Sequence, residues 1–256
     1  MLASLPMYDF PEMREATDSF WAAIAKAYGT SGGLTRDEDW TAPWRNPDLL
    51  FSQTCGYPFT HEYAGVLKYV ATPHYAADGC DGPNYCSIIF ARKSAPLETF
   101  RGKIAAFNNR DSMSGMLALQ LVFAPMARQG QFFTRAIDTG GHLGSLQALQ
   151  EGMADVCATD CVTVALLKKY RPQVLDGLVE IVRSPSVPGL PFVTRGCNVP
   201  GLRGAIADVM QSPATRNLRD SLLLRNVSVL SETAYDVIKN IESRMNLQGG
   251  LLLDEV

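Results

Sequence analysis

Three short stretches carry the residue types that binding a small anion would use. Asp111-Ser112-Met113-Ser114-Gly115 sets two hydroxyls and a glycine at the opening of a helical pattern, and Thr139-Gly140-Gly141-His142 repeats the arrangement. Asp160 stands immediately before a third such pattern. A helix opening leaves amide N–H groups unpaired and concentrates about half a positive charge, so two openings at one sheet edge favour an anion. An ordinary serine N-cap accounts for the first stretch equally well. Asp160 repels a dianion unless it accepts a proton from the ligand or pairs with a ligand amine, and a plain N-cap is the simpler use for it. His142 can donate to an oxyanion, or cap, or pack. Tyr8 and Tyr57 each offer a ring wall and one hydroxyl, and are expected to face this site from another lobe, with core packing as the other use for each. Thr54 ends an apolar run beside Cys55 and Gly56, a place from which it too can reach a ligand.

Catalytic signatures do not emerge from the same reading. There is no G-x-S-x-G, no H-E-x-x-H and no phosphate-binding P-loop. Cys55 or Cys157 with a histidine as nucleophile and base finds no support in the spacing. The six cysteines (55, 80, 86, 157, 161 and 197) include a C-x₃-C but no second pair at zinc spacing, and the chain has three histidines. Neither a metal nor a cofactor is therefore expected. Cys80 and Cys86 flank a turn and can pair in an oxidising compartment, whereas six reduced thiols are the plainer expectation.

The bulk properties narrow the classes further. The 256 residues are 46% hydrophobic and 19% charged, with a net charge of -3. Such a chain folds rather than staying disordered. An isoelectric point of ≈ 5.6 and the lack of a Lys/Arg cluster argue against a nucleic-acid partner. No apolar stretch approaches the ~18 residues of a membrane span, so no direct membrane insertion is expected. Met1 to Pro6 lacks the basic and apolar regions of a secretory signal. The chain is thus expected in the cytoplasm as it stands, or in the periplasm if a signal was removed.

These residues need strands and helices to hold them. Leu2 to Met7 reads as a strand with Tyr8 at its carboxyl end. Asp9-Phe10-Pro11-Glu12 then reads as a cap opening a helix that Gly29 ends. Residues 32–47 read as a loop and Asp48–Gln53 as a strand, followed by the turn sequence Thr54–Pro58. Val66–Thr72 and Tyr85–Arg92 are further strands. From 94 to 184 the pattern is β-α-β-α-β-α-β, with strands at Ile104–Phe107, Phe132–Ile137, Val156–Thr159 and Leu178–Arg183. Residues 184–191 are Pro-rich and extended. Residues 200–245 read as two or three helices with a turn at Asn226-Val227-Ser228, and the final residues are expected to fray. The alternation predicts an α/β fold of two lobes, each a mostly parallel sheet flanked by helices. Lobe one takes residues 1–93 and 185–256, and lobe two is residues 94–184, inserted. Two crossings, near 90–94 and 184–192, form the hinge.

In their order, these features resemble the phosphonate/phosphate-type substrate-binding proteins of ABC importers, which have a type 2 periplasmic-binding fold. The carrying residues are Asp111 to Gly115, Gly140-Gly141-His142 with Ser145 to Leu149, and Gly152-Met153-Ala154-Asp155-Val156-Cys157-Ala158-Thr159-Asp160, with Ser184 to Pro191 as the return crossing. The resemblance covers about 1–200 and is strongest over 104–195. It implies a non-enzymatic clamp, a monomer that closes on a small anionic ligand such as phosphonate or phosphate and delivers it to an ABC permease. It assigns the oxyanion contacts to Ser112, the Met113 amide and Ser114, with His142 and Asp160 beside them and Tyr57 opposite. Met113 stands where the family often has a hydroxyl, and Ser52 to Tyr57 departs from its usual Gly-Pro turn. The rival expectation is a cytoplasmic biosynthetic enzyme on the same fold, acting on a small carboxylate or a pyrimidine-like substrate.

Overall fold

The apolar runs become strands and the capped patterns become helices in the computed structural model, which describes residues 1–231 and 233–247 (for 246 and 247 the backbone alone). In chain order the elements are β1 (Leu2–Ser4), α1 (Arg14–Tyr28), α2 (Ala42–Arg45), β2 (Leu49–Gln53), α3 (Gly56–Thr60), β3 (Lys68–Tyr75), β4 (Asn84–Tyr85), β5 (Ser87–Ala91) and β6 (Ile104–Phe107). A π-helical turn (Met113–Leu117) runs into α4 (Ala118–Phe123), followed by β7 (Arg135–Asp138), α5 (His142–Gln150), β8 (Val156–Asp160), α6 (Cys161–Tyr170), β9 (Val179–Arg183) and β10 (Val187–Pro188). The chain continues through β11 (Phe192–Thr194), α7 (Val199–Gln211), α8 (Arg216–Ser221), β12 (Leu224–Ser228) and α9 (Asp236–Leu247). The expected fraying falls on residues at the end that lie outside those described.

The chain divides into two units. Unit one is Met1–Ala76, Asp81–Asn84 and Pro188–Ala234, and unit two is Ala77–Cys80, Tyr85–Val187 and the described residues from Tyr235. This differs from the expected boundaries at 93/94 and 184/185. β5 hydrogen-bonds to β8 and β9, so the strand before residue 94 belongs to the second sheet. α9 also belongs to unit two, where it packs on α4 and the π turn with Ile238, Ile241 and Met245 buried.

Unit one is a five-stranded sheet in the order β1-β2-β11-β3-β12. The β1–β2 pair is parallel, while β11 and β12 enter antiparallel. Its core is aromatic: Trp21 stacks on Phe51 at 5.6 Å, and Phe51 meets Phe192 at 5.1 Å. Burying such rings supplies about 25 cal/mol per Å² of apolar surface and fixes the helix α1 to the sheet. Three local expectations fail here. Asn226 to Ser228 is not a turn but the end of edge strand β12, where Ser228 Oγ meets His74 Nε2 at 2.8 Å and the Ser228 carbonyl accepts from Tyr69 OH. An edge strand tolerates polar residues because one side faces water and cross-strand polar pairs hold the other. Asp9 does not cap a helix, because its carboxylate is held by Arg36 Nε at 2.5 Å. The turn sequence after β2 opens a short helix at Gly56.

Unit two is a five-stranded sheet in the order β7-β6-β8-β5-β9. β6 is parallel to β7 and β8, whereas β5 is antiparallel to both its neighbours. Both sheets are therefore mixed rather than mostly parallel. In unit one β11 and β12 run against β1, β2 and β3, and in unit two β5 alone runs against the other four strands. β8 and β5 are buried along their whole length, as central strands covered on both faces must be. Phe123, Phe132 and Phe133 form a ring cluster with centroids 4.9–5.1 Å apart under α4.

Candidate functional site

Because β6 is parallel to both its neighbours, the carboxyl ends of β7, β6 and β8 share one edge, and the chain leaves each of them into a helix. Ligands of α/β sheets collect at such an edge. The junction after β6 opens with a π turn, in which Leu117 N donates to Ser112 O at 3.0 Å, five residues back. Such turns occur most often at functional positions. Ser112 is buried and its hydroxyl accepts from Gly115 N at 3.0 Å, so Ser112 caps this opening. A Cβ at residue 115 would fall 1.8 Å from Asn108 Oδ1, so glycine is what lets Asn108 close on the turn. The amides of Met113 and Ser114 come first in the turn and have no acceptor within it. The Met113 side chain is 2% exposed, which leaves this residue its amide as the polar contribution.

The junction after β7 is held by Thr139, whose hydroxyl donates to the Phe107 carbonyl at 2.9 Å and lies 2.7 Å from Ser145 Oγ. It starts α5 at His142. The junction after β8 is Asp160, 2% exposed. One carboxylate oxygen accepts from the amides of Val162 at 3.0 Å and Thr163 at 2.8 Å, and the other accepts from the Thr163 hydroxyl at 2.5 Å.

Side chains from the three junctions meet. Ser114 Oγ is 3.0 Å from His142 Nε2, and His142 Nε2 is 3.4 Å from Asp160 Oδ2. A carboxylate facing Nε2 favours the tautomer with its hydrogen there, since a ring lone pair would face an anion. His142 then donates to Ser114 Oγ, and the serine's own hydrogen is left to donate elsewhere. The amides of Val162 and Thr163 and the Thr163 hydroxyl spread the Asp160 charge over several donors, so it weighs less against an anion than the sequence suggested. Burial pushes the His142 imidazole below its ordinary value, with the charge of Asp160 opposing the shift, and the ring is neutral at neutral pH.

A depressed folded-state value means the unfolded chain takes up the proton first. The contribution of neutral His142 is therefore complete above about pH 6.5, the unfolded value, and is lost as pH falls below it. His74 in unit one is shifted the same way by burial and adds to the loss. The thermal midpoint should fall between about pH 6.5 and 5, and His142→Gln should flatten that slope while leaving the His74 part. A slope unchanged in the variant would show that His142 does not titrate with unfolding.

Two residues that the sequence reading passed over belong to the same edge. Asn108 Oδ1 and Thr159 Oγ1, like His142 Nδ1, are buried without a hydrogen-bond partner. Buried polar atoms without partners are rare in folded proteins, and each calls for a partner such as a ligand or water. The signal was present, since Asn108 is the first polar residue after β6 and Thr159 is the hydroxyl inside the apolar β8. Among the described residues no group of three or more His, Cys, Asp or Glu is placed to hold a metal, and no helix is long and apolar enough to cross a membrane.

A model of the periplasmic substrate-binding proteins of phosphonate ABC transporters matches residues 46–232. The chain belongs to that family. The phosphonates-binding periplasmic protein of Escherichia coli K12 is 31% identical over 128 residues, 47% of this chain. The match spans about a third of that relative's own length, 37%. Among solved structures, a Prochlorococcus marinus PhnD1 in complex with methylphosphonate is similar at a TM-score of 0.76, with 13% identity over 96% of this chain and 98% of that one. A binding component of a Pseudomonas aeruginosa phosphonate transporter is similar at 0.75, with 15% identity over 97% and 87%. These structural likenesses bear on the fold, which is the two-lobed periplasmic-binding-protein fold the sequence led us to expect. Members of this phosphonate-binding family are binding components and not enzymes, so the biosynthetic alternative has no support.

The remaining three candidate residues lie in unit one of this phosphonate-binding family member. Tyr8 holds a left-handed backbone, φ 63, four residues past the end of β1, with its ring edge-on to Tyr75 at 5.4 Å. For a bulky residue that conformation is strained, and strain of this kind is commonest at binding sites. Tyr57 lies in α3 with its ring stacked on His61 at 3.9 Å. Thr54 is fully buried, its amide donating to Pro191 O and its hydroxyl to Cys55 O.

Proposed function

We propose that this chain binds a small phosphonate or phosphate-like oxyanion at the β7-β6-β8 edge of unit two and supplies it to an ABC importer. The observation that carries the reading is the contact chain Ser114–His142–Asp160, which joins three strand-to-helix junctions; with the His142 hydrogen on Nε2, the Ser114 hydroxyl hydrogen is left to a ligand. The amides of Met113 and Ser114 lie at the same opening, and a helix opening attracts an anion without any basic side chain. This suits a protein of net charge -3. Family membership and the methylphosphonate held by the Prochlorococcus protein support the ligand class. Titration calorimetry with methylphosphonate, inorganic phosphate, sulfate and acetate tests it. Saturable binding of the first or second, and not of acetate, is expected. Heat from acetate alone would overturn the ligand class.

A further inference from the structure

Three of the six thiols gather in unit two, where Cys161 meets Cys80 and Cys86 from about 75–80 residues away in the chain. Cys80 Sγ lies 3.6 Å from Cys161 Sγ. Cys86 is hydrogen-bonded to Cys161 through the side chains, and its carbonyl accepts from Cys161 N at 2.9 Å. Gly79 makes the gathering possible: a Cβ there would come within 2.8 Å of Cys86 Sγ and 3.0 Å of Cys161 Cβ, and its φ of +105 is one that other residues rarely adopt. The short segment Ala77–Cys80 thus leaves unit one's run of chain to lie against unit two.

We infer that Cys80 and Cys161 are a disulfide-forming pair that fastens the Ala77–Cys80 segment to the first turn of α6. The step exchanges with a small-molecule disulfide such as oxidised glutathione. The Cys80 thiolate attacks one glutathione sulfur, forms a mixed disulfide and expels one glutathione thiolate. Cys161, having lost its proton to solvent, then attacks the Cys80 sulfur and expels the second glutathione. Two protein thiols are oxidised and one disulfide is reduced to two thiols. Cys80 is the member an incoming disulfide reaches, because it is partly exposed and the other two are buried. The hydrogen bond to Cys80, with burial, pushes Cys161 up to about 12 against an opposing contribution from Cys86, and the hydrogen bond to Cys161, with burial, raises Cys86 further still. Closure is therefore slow at neutral pH and faster in alkali, and Cys86 is a poor competitor for the bond. The sulfurs need to approach from 3.6 Å to bonding distance, a shift within side-chain reach.

The test treats the full chain with oxidised glutathione at pH 8.5, alkylates it after denaturation and maps linked peptides without reduction. A protease cutting before aspartate separates every partner, because Asp81 lies between Cys80 and Cys86 and Asp160 between Cys157 and Cys161. Loss of two alkylatable thiols is expected, with Cys80 and Cys161 peptides joined. The thermal midpoint should rise by about 5–10 °C, reversed by dithiothreitol, since the bond closes a long loop. The Cys86→Ser variant should behave the same way. Six thiols still alkylated, a glutathione adduct left on Cys80, or linkage of any other pair would overturn the inference.

Discussion

Replacing Ser114 with alanine should weaken binding of methylphosphonate about 10- to 100-fold, the worth of one hydrogen bond to a charged group, with little change in thermal stability. The asymmetry follows from where the two serines of the turn spend their hydroxyls. Ser112 Oγ is occupied by Gly115 N and holds the π turn together. Ser114 Oγ lies 3.0 Å from His142 Nε2, and with the hydrogen on Nε2 the serine keeps its own hydrogen to donate. Ser112→Ala should therefore cost about 1 kcal/mol of stability as a lost cap, and reduce affinity indirectly by loosening the turn. The double variant should bind more weakly than either single one and remain folded by circular dichroism. Calorimetry that found the Ser114→Ala affinity unchanged would remove this serine from the site, whatever the double variant did.

The second large effect is expected at Asp160. Its carboxylate takes two amides and the Thr163 hydroxyl, and stands 3.4 Å from His142 Nε2. Asp160→Ala strands those donors in a buried position. The lost cap and the unsatisfied amides together should cost about 2–4 kcal/mol, or roughly 5–15 °C in thermal midpoint for a chain of this length. Asp160→Asn keeps an oxygen facing the amides and should recover most of that loss. Differential scanning calorimetry separates the two variants, and an alanine variant as stable as the parent would show that water replaces the carboxylate. If the stability loss is seen, weaker ligand binding by the same variant would follow from the released His142, which no longer has a reason to hold its hydrogen on Nε2.

The residues of the edge were legible because each interrupts an apolar run at a point where a helical pattern begins. Asp160 is the clearest case: a carboxylate after Val156–Thr159 and before Val162 has one ordinary use, and the structure shows that use together with the histidine contact. The contact itself was not legible. It depends on β8 lying beside β6, which depends in turn on β5 inserting antiparallel on the other side, and no local pattern states that order. β12 escaped for a related reason, since its Asn226 and Ser228 are turn formers that become strand residues only when His74 and Tyr69 lie across from them. The π turn also left no separate trace, because Gly115 reads as a helix opening whether the first hydrogen bond spans four residues or five. Polar punctuation survived the reading, and pairings between distant segments did not.

Strand order in unit two also bears on the sequence of events in folding. Every residue of the proposed site lies between Asn108 and Thr163, and the strands that carry it, β6, β7 and β8, are consecutive in the chain. Their contacts close loops of a few tens of residues, which cost less entropy than the long closures that bring β5 and β9 alongside. The binding edge can therefore condense as a local β-α-β-α-β nucleus. β5 and β9, whose pairings β5–β8 and β5–β9 span longer stretches of chain, then complete the sheet on the β8 side.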